Sequence, residues 1–325
     1  MPSNNVYLFI VSFICILDTF EGLWFGKTAP DVSESYTSFK LRDRRTVCVD
    51  ECKDLYCRAD CVGKNSMATC VSPFCFAITK GEHSKSLCDG TKCNSLCHEY
   101  KCNSQCSGAM CHSKCSADYC KSNCIGAICV SKCDGKTCES GCTGAICVSK
   151  CDGKTCKSGC EGSTCNSQAS GMFANGNCEG NICSAKANGD NTVAVCKGDA
   201  CHANCDGKSC KSVCEGHACN LQASGMFANG DCRGNACSAK TNGDNTVAVC
   251  NGDACNANCT GKNCAASCVG NACTAKEWDA DLVATDTTVR KTITKRFESA
   301  TPSSSSTWSS KLILWNNIHN KILNN

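Results

Sequence analysis

The chain has 325 residues, a formal net charge of +3 and 41 cysteines, but only 10 Phe, 5 Tyr and 4 Trp. So few aromatic residues argue against a large conventional hydrophobic core. Charges of both signs are interspersed, which disfavours a nucleic-acid-binding protein because such proteins need a clustered basic surface. Cysteine at this density is typical of a disulfide-stabilised protein from an oxidising compartment.

The chain begins with an apolar run, VYLFIVSFICIL, at residues 6–17. Its length matches the core of a secretory signal peptide and is too short to span a bilayer. We interpret residues 1–22 as a signal peptide; an apolar segment that packs within the protein is the alternative. Residues 23–47 are interpreted as a linker or propeptide, in which Arg44-Arg45 is a candidate processing site.

From Cys52 onward the pattern C-x-G-x-x-C-x-[S/A]-x returns every nine residues, which predicts a repeat protein. About 25 units follow without an insertion, and Gly occupies the third position in 21 of them. Glycine at this position permits tight turns and close approach of backbones. We therefore predict an all-β or irregular solenoid over residues 48–276, in which disulfides replace the hydrophobic core and each unit packs on its neighbours.

The missing cysteines indicate how the others pair. Five units lack both cysteines, whereas no unit keeps only its second. A bond from the second cysteine of one unit to the first of the next would leave orphans such as Cys165 and Cys178. We therefore predict bonds between residues i and i+5, with Cys48 and Cys61 left over as a candidate N-terminal pair. Examples are Cys52 with Cys57, Cys124 with Cys129, Cys133 with Cys138, Cys142 with Cys147, Cys151 with Cys156, Cys205 with Cys210, and Cys268 with Cys273.

The repeat leaves the size of one coil open. One nonapeptide per coil predicts a rod of about 120 Å, and two per coil predict about 60 Å. The fifth position favours the larger, two-unit coil, because Ile128, Ile146 and Ile182 lie multiples of eighteen apart, with more polar residues such as Thr137 between them. Duplication of two-unit blocks would leave the same trace, so both coil sizes remain possible.

The C-terminal part departs from the repeat. Residues 277–307 are rich in Ser and Thr and are predicted to form a disordered tail. Residues 308–325 are predicted to form a short amphipathic helix that caps the solenoid or docks a membrane or partner. Its apolar residues recur at spacings of 4, 3, 3 and 4, namely Trp308, Leu312, Trp315, Ile318 and Ile322.

The unit C-x-G-x-x-C followed by a small residue resembles the ten-residue repeat of the midge antifreeze proteins, C-x-G-x-Y-C-x-G plus two spacer residues. The resemblance extends from Cys52 to about Lys276 and is one of pattern. It implies a tight solenoid with a disulfide across every coil and a flat ice-binding row at the position before the second cysteine. The present repeat is one residue shorter, and its row is mixed; a partly buried edge is the alternative interpretation. The candidate binding ridge comprises Tyr119, Ile128, Thr137, Ile146, Thr155, Thr164, Phe173 and Ile182.

Other kinds of site find little support. The cysteine spacings do not match C-x-x-C or C-x-C metal motifs, and the Asp residues recur too irregularly for a nonapeptide calcium roll. The six His are scattered, and no Ser, His and carboxylate constellation is evident. We therefore expect no metal, cofactor or catalytic site. Asn258 begins an Asn-Cys-Thr sequence, a weak glycosylation candidate because Cys259 is expected in a disulfide.

These observations predict a secreted, non-enzymatic interaction protein. In this interpretation a rigid disulfide solenoid presents repeated side chains to an extracellular or host partner, as an effector or venom-like protein would. The partner is an extracellular protein, a glycan or ice, and neither nucleic acid nor a membrane is expected. An ice-binding protein and an extracellular structural matrix protein are the alternatives.

Overall fold

The computed structural model describes residues 48–278, which form two parallel β-sheets of 13 strands each and contain no helix. The all-β, disulfide-stapled solenoid is thereby confirmed. Sheet A contains β1 (Val49–Cys52), β3 (Met67–Val71), β5 (Lys85–Asp89), β7 (Asn103–Ser107), β9 (Cys120–Ile125), β11 (Thr137–Thr143), β13 (Thr155–Glu161), β15 (Phe173–Glu179), β17 (Val193–Lys197), β19 (Lys211–Glu215), β21 (Asn229–Arg233), β23 (Val247–Asn251) and β25 (Ala265–Val269). Sheet B contains β2 (Tyr56–Val62), β4 (Phe74–Lys80), β6 (Lys92–Cys97), β8 (Met110–Ser116), β10 (Ile128–Asp134), β12 (Ile146–Asp152), β14 (Thr164–Ser170), β16 (Ile182–Asn188), β18 (Ala200–Asp206), β20 (Ala218–Ser224), β22 (Ala236–Asn242), β24 (Ala254–Thr260) and β26 (Ala272–Trp278).

One coil of the solenoid consists of two nonapeptides, so the structure selects the larger of the two predicted coil sizes. Successive nonapeptides alternate between the sheets, and each strand pairs in parallel with the equivalent strand of the next coil. In β10 and β12, for example, Ile128 lies opposite Ile146 and Cys133 opposite Cys151. Thirteen strands at ~4.8 Å per step give each sheet a length of about 60 Å.

Alternate residues of each strand point into the space between the sheets, as the period of two requires. In β10 these are Cys129, Ser131 and Cys133, which are fully buried. A flat coil of two nonapeptides has room for only small side chains between its sheets. The core therefore consists mainly of disulfides with Ser, Ala and Thr, and the largest fully buried side chain is Leu221.

Buried serine hydroxyls form a ladder along the middle of the core. Each hydroxyl donates to that of the serine nine residues earlier, across the gap between the sheets, at 2.9–3.0 Å. At the end of the ladder Ser86 donates to the carbonyl oxygen of Ala77 at 2.6 Å. The hydrogen bonds satisfy groups that would otherwise be costly to bury. The ladder comprises Ser86, Ser95, Ser104, Ser113, Ser122, Ser131, Ser140, Ser149, Ser158 and Ser167.

All 40 described cysteines are disulfide-bonded, and the two edges of the solenoid differ in how they are bonded. At the edge where the chain passes from sheet A to sheet B, every coil carries an i, i+5 disulfide, from Cys52–Cys57 to Cys268–Cys273. We call this the complete edge. It also holds the predicted pairs Cys124–Cys129 and Cys142–Cys147.

The opposite edge, where the chain passes from sheet B to sheet A, is gapped. It holds Cys133–Cys138, Cys151–Cys156, Cys205–Cys210 and three further i, i+5 disulfides, while Cys48–Cys61 joins the residue that precedes β1 to β2 within the first coil. All five units that lack both cysteines lie at this edge. Their places in the core are filled by Thr79, Ser84, Ala169, Ala174, Ala187, Thr192, Ala223, Ala228, Thr241 and Thr246.

Turns stack directly on one another at both edges. The amide of Gly144 donates to the carbonyl of Glu161 at 2.9 Å, and Ile146 donates to Ala127 at 2.8 Å. A Cβ on Gly144 would overlap the carbonyl oxygen of Gly126 in the preceding coil. Glycine in this turn is therefore required by the close approach of two backbones.

The last strand ends two residues beyond the predicted end of the solenoid. Glu277 and Trp278 belong to β26, because they pair with Cys259 and Thr260 of β24, and Glu277 also accepts a hydrogen bond from the amide of Ala266 at 2.9 Å. The predicted tail therefore begins too early at 277.

Four predicted segments lie outside the described residues. They are the signal peptide (1–22), the linker or propeptide (23–47), the rest of the tail and the amphipathic helix (308–325).

We expect Ser131→Ala to weaken the core locally, because it removes a donor to Ser122 and the hydroxyl that accepts from Ser140. The expected loss in the local opening free energy of β10 is about 1–2 kcal/mol. Amide hydrogen exchange on the oxidised protein measures it. Ser212→Ala in β19 is the matched control, because this equally buried hydroxyl has no hydrogen-bond partner and its loss should be neutral or stabilising. Equal losses at both sites would contradict the role of the ladder.

We expect Gly144→Ala to prevent correct stacking, because the new methyl group would overlap the backbone of the preceding coil. The yield of fully oxidised monomer, measured by mass spectrometry under non-reducing conditions, should fall sharply. Gly159→Ala should fold normally and change stability by less than about 1 kcal/mol, since a Cβ there meets no atom within 4 Å. A normal yield of Gly144→Ala would contradict this prediction, because it would show that the turns of successive coils can move apart.

Candidate binding surface

The predicted binding ridge is not one row. Since each coil consists of two nonapeptides, the residues of this ridge alternate between the two edges of the solenoid. Ile128, Ile146, Thr164 and Ile182 begin successive strands of sheet B at the complete edge. Tyr119, Thr137, Thr155 and Phe173 lie at the gapped edge, where the last three begin strands of sheet A. The single ridge predicted from the sequence is therefore wrong, and two separate rows replace it.

Neither row is uniform. The row at the complete edge continues from Ile182 into Ala200, Ala218 and further alanines, so the width of its side chains changes along the solenoid. The row at the gapped edge includes Tyr119, which is 53% exposed, beside small threonines. A flat array of identical groups, which the resemblance to antifreeze proteins implies, is absent from both rows within residues 48–278.

The gapped edge carries two exposed Met-Phe pairs, Met172-Phe173 and Met226-Phe227. Their side chains are 45–50% exposed, and each pair sits in a turn whose unit lacks both cysteines. The pairs are three coils apart, which is about 14 Å along the solenoid. Phe227 has a φ of 61°, a conformation that is uncommon for a bulky residue.

The outer face of sheet B carries a row of lysines and amides that we call the lysine row. It occupies the fifth position of each strand from β8 to β26, and consecutive members lie directly opposite one another in the sheet. Lys132, for example, lies between Lys114 and Lys150. The members are Lys114, Lys132, Lys150, Gln168, Lys186, Asn204, Gln222, Lys240, Asn258 and Lys276.

A second row runs beside the lysine row, at the third position of the same strands. We call it the polar row, because Val130 and Val148 are its only apolar members. Neither row contains an acidic residue from β8 to β26. The polar row consists of His112, Val130, Val148, Asn166, Ser184, His202, Asn220, Ser238, Asn256 and Thr274.

Charges on sheet A follow a different pattern, in which lysine or arginine faces glutamate at several places, although Glu161 also lies opposite Glu179. Lys121 Nζ lies 2.8 Å from Glu139 Oε2, and this contact lowers the pKa of Glu139. Glu215 lies between Lys197 and Arg233, at 3.6 Å and 3.9 Å. The flat faces of the two sheets therefore differ in electrostatic character, although their backbones are alike.

A shallow open groove crosses sheet A from β3 to β11. Its floor consists of disulfide cysteines of the complete edge, such as Cys106 and Cys124. Its walls carry apolar side chains, including Leu87 and Ile125, and the amide of Gln105. The groove is too open to enclose a small molecule.

Two histidines on the face of sheet B have lowered pKa values. Burial lowers the pKa of His202, and the positive charge of Lys186 lowers it further. Burial also lowers the pKa of His98, with contributions from Lys114 and Lys80. Both histidines are therefore harder to protonate than exposed histidines, on a face that already carries the positive charges of the lysine row.

Two further predicted features have a definite place in the fold. Asn258 is a member of the lysine row, next to Cys259, which is bonded to Cys264. Its side-chain oxygen is buried without a hydrogen-bond partner, and glycosylation there stays a prediction. Close groups of three sulfurs, such as Cys75, Cys88 and Cys93, belong to disulfides and therefore offer no thiolate to a metal ion.

Comparisons with family models, with curated proteins and with solved structures each returned no match. The disulfide-rich β-solenoid with repeated cysteine pairs is consistent with the pattern of solenoid antifreeze proteins, and no family match supports membership. Within residues 48–278 there is no helix that is long and apolar enough to cross a membrane.

We expect nuclear magnetic resonance titration to place the pKa of His202 below its ordinary value of 6.5. Because the folded-state pKa is depressed, neutral His202 contributes stability that is complete above about pH 6.5 and is lost as the pH falls through the folded-state pKa. Lys186→Gln should raise this pKa, since it removes a nearby positive charge. Lys240→Gln, in the same row two strands away, is the control, and an equal effect from it would contradict the assignment to Lys186.

Proposed function

We propose that this protein is a secreted, non-enzymatic binding protein, effector-like in character, which presents straight rows of side chains to an extended extracellular partner. The observation that carries the proposal is the direct stacking of like positions in successive coils. It turns a repeated sequence into rows along flat faces about 60 Å long. Twenty disulfides within residues 48–278 support an extracellular or otherwise oxidising location.

Rigidity supports binding as the role of these faces. Every described cysteine is bonded, and even the turns hydrogen-bond to the next coil. The backbone beneath each row is therefore already ordered before a partner arrives. A preorganised surface loses little conformational entropy on binding, so weak contacts repeated along a row can add up to useful affinity.

The alternatives have less support. Ice binding requires a regular array, whereas the two edge rows mix Tyr, Ile, Thr, Phe and Ala. A matrix protein linked by intermolecular disulfides would need free thiols, and Cys48 and Cys61 are the two cysteines that the i, i+5 pattern leaves over. These two cysteines are bonded to each other.

The test uses full-length protein secreted by a eukaryotic host, with its disulfides intact. Binding is measured to a panel of neutral polysaccharides, acidic polysaccharides and extracellular matrix proteins, with reduced and alkylated protein as the control. We expect saturable binding to at least one member of the panel, lost on reduction. No binding to any member would overturn the proposal. Faceted ice crystals and a freezing gap without such binding would favour the ice-binding alternative instead.

A further inference from the structure

We infer that the lysine row of sheet B is a binding site for a linear acidic polysaccharide. This inference deepens the proposed function, on which it rests. The site consists of the lysine row and the polar row beside it, which run together along the solenoid from β8 to β26.

Like charges are stacked along the lysine row. Lys114, Lys132 and Lys150 lie directly opposite one another on adjacent strands about 4.8 Å apart. Like charges that face each other across strands are destabilising. A chain of anions laid along the row would relieve this repulsion in three consecutive coils.

On sheet A, within residues 48–278, no lysine lies opposite another lysine, and the like charges that face each other there are acidic, Glu161 and Glu179. On sheet A a lysine faces a glutamate, as Lys121 faces Glu139, and the charges neutralise each other. On sheet B the nearest acidic residues stand one row further out, at Asp134, Asp152 and Asp206. The contact between Lys132 and Asp134 is 4.0 Å long, the limit of an ion pair.

The polar row indicates the kind of polyanion that would bind. The polar row supplies amide and hydroxyl groups, such as Asn166, Ser184 and Asn256, which can hydrogen-bond the hydroxyls of a sugar chain. A membrane surface would favour aromatic or long aliphatic anchors beside the lysines, and neither row contains an aromatic residue other than His in these strands. A folded protein partner would not need lysines spread along one line of ten strands, six of which carry one.

The test compares two triple variants of the full-length oxidised protein for binding to immobilised heparin and pectate. Lys132→Gln, Lys150→Gln and Lys186→Gln remove three charges from sheet B. Gln already occupies this row at Gln168 and Gln222, so the fold should tolerate it. The matched control removes three charges from sheet A by Lys121→Gln, Lys157→Gln and Lys197→Gln. Circular dichroism and disulfide mapping verify that both variants fold.

We expect the sheet B variant to bind acidic polysaccharide about tenfold more weakly and with a shallower salt dependence, and the sheet A variant to bind as the unmodified protein does. Equal weakening by both variants would mean that only net charge matters and would overturn the inference. Binding to chitin or another neutral polymer alone would also overturn it while leaving the proposed function intact. Tighter binding to DNA or to anionic vesicles than to either polysaccharide would exclude a polysaccharide as the partner class.

Discussion

The structure depends on the stacking of two-nonapeptide coils in strict register. Each coil is so flat that its two sheets are separated only by the side chains that bridge them. This geometry excludes large residues from the interior and explains why disulfides, Ser, Ala and Thr form the core. It also brings the turns of successive coils into backbone contact, so that a Cβ on Gly144 would overlap the coil below it. Any inserted residue would shift all following side chains to the wrong face, which accounts for the constant length of the repeat.

The two edges satisfy this constraint in different ways. The complete edge carries a disulfide in every coil, so the path from sheet A to sheet B is covalently held along the whole solenoid. At the gapped edge, pairs such as Ala169 and Ala174 or Ala223 and Ala228 fill the space of a disulfide without a covalent bond. Both exposed Met-Phe pairs occur at this edge. Variation in the turns is thus concentrated where the covalent framework is least complete.

The faces of the sheets also differ, although the backbone beneath them is regular. Sheet A pairs opposite charges between neighbouring coils, which stabilises the stack modestly. Sheet B aligns lysines and amides, an arrangement that the fold itself does not require. Lysines stacked in register repel one another, and a bound polyanion would relieve that repulsion. The proposed function and the site on sheet B therefore follow from one geometrical fact, the conversion of sequence period into straight rows.

Several features were predictable from the sequence because they are local. The repeat indicated a β-solenoid, the paired losses of cysteine indicated bonds five residues apart, and the structure contains nineteen bonds at this spacing. Each nonapeptide has the same alternation of inward and outward residues, which is compatible with coils of one unit and of two, and only the fifth position favoured the larger coil. The choice depends on where each turn sends the next strand, which is a tertiary property. That choice divided the predicted ridge from Tyr119 to Ile182 into two edge rows, and it placed every fully cysteine-less unit at one edge. It also aligned Lys114, Lys132 and Lys150. These lysines lie eighteen residues apart in the sequence, and they become neighbours only because one coil contains two nonapeptides.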